Sequence, residues 1–88
     1  MATVMAQWRR IVGMRVERTV QQVINCAVNV NDFHVALLNV AQGRSGGIVS
    51  NERLGRWLRK NEGRVVGGLM LKCTGRLDGY PTWSLVAV

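Results

Sequence analysis

The sequence predicts an α+β fold with its helices first and a β-hairpin last. Three observations carry this. Apolar residues recur at helical spacing in the stretches up to Asn61, then alternate with a period of two after Gly68. Thr19, Asp32 and Ser50, residue types that cap helix N-termini, each stand just before a helical stretch. The alternating C-terminal segment is broken by Asp78-Gly79 and Pro81, which are turn formers.

Val4, Met5, Trp8, Ile11 and Val12 give residues 1–13 the pattern of an amphipathic helix ended by Gly13. That helix reads equally as the tail of a longer one in a larger protein. Trp8 either packs on the domain or meets a neighbour. Met14 to Arg18 alternates like a short edge strand. Thr19 then caps a helix whose Val20, Val23, Ile24 and Ala27 share one face, with Gln21, Gln22 and Asn25 outward. Asp32 caps a third helix, with Phe33, Ala36, Leu37, Val40 and Ala41 inward. His34 has no partner at ligand or triad spacing and reads as a surface or helix-terminal residue. Gln42 to Gly47 is glycine-rich but lacks the lysine and hydroxyl residue of a phosphate loop, so it reads as a turn. Ile48-Val49 reads as a short strand or a hydrophobic staple before the next cap.

Residues 50–61 form the stretch with two distinct faces. Ser50 is the N-cap, and Glu52 suits the positive end of the helix dipole. Leu54, Trp57 and Leu58 fall on a core side. Arg53, Arg56 and Lys60 fall on another side, with Arg59 at its edge. Asn61 and Gly63 tolerate the left-handed backbone that ends a helix. Residues 69–86 make the hairpin. Leu69, Leu71 and Cys73 alternate on one strand, and Trp83 and Leu85 on the other. Gly75 to Thr82 is the expected turn, with Arg76 at the tip and Lys72 on the approach.

Charge supports a polyanionic partner. The 88 residues, enough for one domain, carry 12 Lys+Arg against 5 Asp+Glu, a net charge of +7. Ten of the cations are arginine, and from Arg44 to Arg76 eight cations face two anions. Cys26 and Cys73 lie in apolar contexts without metal-ligand spacing, as expected of reduced core residues. No leader-like apolar run and no bilayer-length run is present, so a cytoplasmic location is expected. No catalytic set, metal cluster or nucleotide loop is legible, and neither enzymatic activity nor a cofactor is expected.

Helices, a basic helix and then a hairpin is the order of a winged helix–turn–helix domain, with three to four helices and the hairpin as wing. A helix with a basic face fits the major groove, and phosphate contacts fix its register while base edges carry the sequence information. The expected DNA-binding residues are Ser50, Asn51, Arg53, Arg56, Arg59, Lys60, Arg64, Lys72 and Arg76. Arg53 and Arg56 lie toward the helix start and are candidates for base edges, as is Asn51. Ser50 is a candidate for phosphate at the helix N-terminus. Arg59, Lys60 and Arg64 point to phosphate, and Lys72 and Arg76 belong to the wing. Trp57 and Trp83 read as core.

The run Leu54-Gly55-Arg56-Trp57-Leu58-Arg59, with Gly63-Arg64-Val65-Val66, Gly68-Leu69, Gly79 and Trp83-x-Leu85, resembles the C-terminal domain of primase–helicase type AAA+ ATPases. These are replication proteins of phages, plasmids and mobile elements. Thr19-Val20-x-x-Val23-Ile24 and Ala36-Leu37-Leu38-x-Val40-Ala41 fit the same pattern, which spans roughly residues 8–85. The resemblance implies a winged-helix tail that binds duplex DNA and is cut from a larger chain whose ATPase part lies elsewhere. Two rival readings keep the fold: a protein-interaction module for an acidic partner, and a dimeric transcriptional regulator paired through Trp8 and the first helix.

Overall fold

The computed structural model describes residues 2–43 and 47–88. It is a small α+β structure with four helices and a four-stranded antiparallel sheet. The elements run α1 (Ala2–Ile11), β1 (Arg18–Thr19), α2 (Val20–Ala27), α3 (Asn31–Ala41), α4 (Asn51–Asn61), β2 (Val65–Val66), β3 (Leu69–Leu77) and β4 (Tyr80–Ala87). The sheet order is β1-β4-β3-β2. The middle of the expected glycine-rich turn, Arg44 to Gly46, lies outside the described residues.

The core forms where the helices meet one face of the hairpin. Val4, Met5 and Trp8 of α1 are buried with Val23 and Ile24 of α2, Phe33 and Leu37 of α3, and Leu54 and Leu58 of α4. Leu71, Trp83 and Leu85 bring in the sheet. Trp8 is fully buried and meets Phe33 edge-on, with ring centroids 6.3 Å apart and planes at 65°. Helical periodicity alone leaves Trp8 open between core and interface; inside this chain it is core. Trp57 is only half-buried, because it stands on the shoulder of the Leu54/Leu58 stripe rather than on it.

Thr19 caps α2 as a full capping box. Its hydroxyl accepts from the Gln22 N–H at 3.3 Å, and the Gln22 side chain accepts from the Thr19 N–H at 2.9 Å. Ser50 caps α4 by accepting from the Arg53 N–H. Asp32 does not cap α3. The cap position is Val30, without a side-chain hydrogen bond, and Asp32 lies within the first turn, where its charge meets the helix dipole instead. His34 is half-buried in α3, its Nε2 3.2 Å from the Gly47 carbonyl.

The strands depart from the sequence pattern in three places. The expected strand at Met14–Arg18 shrinks to Arg18–Thr19, preceded by a turn in which Arg15 takes a positive φ and donates its N–H to Leu85 O. Val65-Val66 forms an added edge strand, turned back onto β3 by Gly67-Gly68. Both glycines have positive φ, as a two-residue turn of the hairpin-favouring mirror type demands. The third departure is the hairpin. Its strands continue to Leu77 and Tyr80, so the turn is Asp78-Gly79 alone, again with both φ positive. Arg76 therefore sits inside a strand. Pro81 is tolerated because β1 pairs only with Thr82 and Trp83, which leaves this part of β4 a sheet edge.

Candidate nucleic-acid interface

The site starts from α4. Leu54 and Leu58 anchor it, and Asn61 is buried with its amide donating to Trp57 O at 2.8 Å. The chain leaves through Glu62, whose carboxylate accepts from the Cys73 N–H at 2.9 Å, and Gly63, whose N–H donates to Leu71 O at 3.0 Å. These bonds tie the end of α4 to β3 and set the hairpin alongside the helix.

A cleft of about 590 Å³ opens between the start of α2, the outer side of α4 and the tip half of β4. Asn51, Gly55, Arg56 and Arg59 line it from α4, and Tyr80, Pro81 and Trp83 from β4. A second recess of about 310 Å³ continues it past the end of α4, where Glu62 and Arg76 join, and the two share Arg59, Pro81 and Trp83. Arg56 and Arg59 thus line the cleft and Arg59 and Arg76 the recess, two adjoining hollows with a mostly apolar lining.

Arg76 reaches the recess because of a β-bulge. Cys73 pairs with Trp83 and Gly75 with Thr82, so Thr74 is extra. Beyond it Arg76 pairs with Pro81 and shares the face of Trp83, whereas Lys72 pairs with Ser84 on the opposite face. The guanidinium of Arg76 also donates to Gly79 O at 3.0 Å, across the turn.

The remaining predicted residues distribute as follows. Arg53 and Lys60 are exposed on α4, outside the lining of both the cleft and the recess. Arg56 is exposed and ion-paired with Glu52 one turn earlier. Asn51 donates its amide to the Gln21 side chain at 2.6 Å, which links α4 to α2. Ser50 is occupied by the fold: its N–H donates to Ala41 O and its hydroxyl accepts from Arg53. Arg64 is exposed between α4 and β2, away from the cleft lining. The structure therefore gathers Asn51, Arg56, Arg59 and Arg76 around the two hollows and leaves Ser50, Arg53, Lys60, Arg64 and Lys72 outside them.

Gln21, Glu52, Gly55, Tyr80 and Pro81 also line the cleft, which the sequence pattern does not anticipate. Glu52 is legible in principle, since a glutamate four residues before an arginine on a helix pairs with it. Tyr80 and Pro81 come to the cleft only because the strands run to the turn, which the proline obscures.

Among the described residues, no group of His, Cys, Asp and Glu could hold a metal ion, and no helix is long and apolar enough to cross a membrane. Cys26 and Cys73 are free and half-buried. No protein-family model matches the chain, and no curated protein or solved structure matches it.

Proposed function

We propose that this chain is a non-catalytic winged-helix module that binds duplex DNA, with α4 in the major groove and the β3–β4 hairpin as wing. The observation that carries the reading is the convergence of Arg56, Arg59 and Arg76 from two elements on adjoining hollows that share Arg59, with Arg53 and Lys60 exposed on the same helix. A solvated helix face needs no such convergence with a strand arginine. A hairpin that follows the basic helix, and a first strand that pairs with the last, support the winged-helix assignment. On this reading Arg53 and Arg56 meet base edges, and Arg59, Lys60 and Arg76 meet phosphate. The likeness of the Leu54–Arg59 and Gly63–Leu69 runs to replication-protein tails extends the proposal to a replication protein of a phage or mobile element.

A labelled random-sequence duplex, titrated at ~50 and ~200 mM salt, tests it, because non-specific affinity is electrostatic and falls steeply with salt. Binding that collapses at the higher salt is the expected result. No binding at the lower salt would overturn the reading and turn the basic face toward an acidic protein.

A further inference from the structure

We infer that the cleft between α4 and the hairpin receives one unpaired nucleotide base, so that a duplex with a single-stranded end is preferred to a blunt one. This rests on the nucleic-acid reading above and names the substrate feature that the same site selects.

The first observation is the floor. Pro81 presents apolar surface below the exposed ring of Tyr80, Trp83 is buried among the lining residues, and Gly55 leaves the opposite wall open. A Cβ placed at Gly55 meets nothing closer than Val20 Cγ2 at 3.8 Å. Phosphate has no use for such a floor. A paired, stacked base cannot use it either, because its faces are covered; an unpaired base has both faces free, and base–aromatic stacking is the usual basis of single-strand binding.

The second observation is polar. Trp83 is 1% exposed and lines both hollows, yet its indole N–H, like that of Trp8 in the core, has no acceptor among the described residues. Buried indole N–H groups ordinarily find one. Every nucleobase carries carbonyl or ring-nitrogen acceptors, so a base on this floor supplies the missing partner.

The third is the rim. Arg56, Arg59 and Arg76 stand where the flanking phosphates of an inserted nucleotide would run, and Tyr80, 69% exposed, stands at the mouth. Glu52 and Glu62 also line the hollows. These two carboxylates oppose entry of an acidic side chain, whereas a neutral base with amino groups is compatible with them.

The test compares three probes by fluorescence anisotropy at ~50 mM salt: a blunt duplex, the same duplex with one unpaired 3′ or 5′ nucleotide, and the same duplex with an abasic overhang. The overhang should bind about tenfold more tightly than the blunt end, and the abasic overhang should lose most of that gain. Gly55→Leu, which fills the cleft from a helical position, should bring the overhang-to-blunt ratio to about one. Trp83→Phe should lower the same ratio; because it also disturbs the core, Gly55→Leu remains the deciding variant. Equal affinity for overhang and blunt duplex in the wild-type protein would overturn the inference while leaving duplex binding intact. Binding of the overhang duplex without binding of the blunt duplex would uphold it and overturn the reading of α4 as a duplex-binding helix. A tryptophan-bearing acidic peptide that binds where none of the three probes does would overturn both.

Discussion

At the residue scale, Gly55 and Glu52 separate stability from function. Gly55 lies in the interior of α4 and has ordinary room for a methyl group, with Val20 Cγ2 3.8 Å from where a Cβ would stand. Gly55→Ala should therefore raise unfolding free energy by about 0.5–1 kcal/mol, the usual entropic cost of glycine within a helix, as read by urea denaturation. Glu52 acts the other way. It sits in the first turn of α4, and it pairs with Arg56 while both are largely exposed, 76% and 73%. Glu52→Gln should cost about 0.5–1 kcal/mol through the dipole and the exposed pair. Duplex affinity should rise in the same variant, since Arg56 is released and an anion leaves the binding face. Thermal melts and anisotropy on one preparation check the opposed signs; a fall in both would show that Arg56 is not a DNA contact.

At the element scale, local chemistry is legible in the sequence and pairing register is not. Thr19 and Ser50 announce the starts of α2 and α4 because an N-cap depends on a few consecutive residues, and both caps form. Asp32 has the right chemistry but stands two positions too late, since Val30 already holds the cap geometry. The hairpin shows the other limit. Counting from Lys72 to Arg76 in steps of two puts them on one face; the bulge at Thr74 puts them on opposite faces. Gly75, at φ 153° beside the bulge, is the residue type that marks such a site within a strand, but the turn expected from Gly75 onward hides it. Val65-Val66 escapes the pattern for another reason: two residues are too few for a period, although Gly67-Gly68 between two apolar pairs is a hairpin signal. The capping box at α2 gives the testable case. Thr19→Ala should lower stability by about 1 kcal/mol. Because Thr19 and Gln22 satisfy each other's backbone reciprocally, the Thr19→Ala/Gln22→Ala double variant should lose less than the sum of the two single losses. Strict additivity in chemical denaturation would mean that the two bonds are not made as a unit.

For the whole molecule, the question is whether the net charge of +7 acts as a diffuse field or as a surface. The fold answers geometrically. Arg56, Arg59 and Arg76 line the α4–hairpin hollows, Arg53 and Lys60 are exposed on the same helix, and Lys72 lies on the far face of the hairpin. A surface of five cations neutralising about five phosphates gives a slope of log K against log salt near −4 to −5, or a loss of several hundredfold between ~50 and ~200 mM. Arg59→Gln should then reduce the slope by about 1, because it removes one phosphate contact. Lys72→Gln removes the same charge from the far face of the hairpin and should leave the slope unchanged. Net charge alone predicts equal effects for the two variants, since each lowers the total by one. A difference between them therefore isolates the contribution of geometry, and equal slopes would reduce the α4–hairpin surface to a solvated basic face.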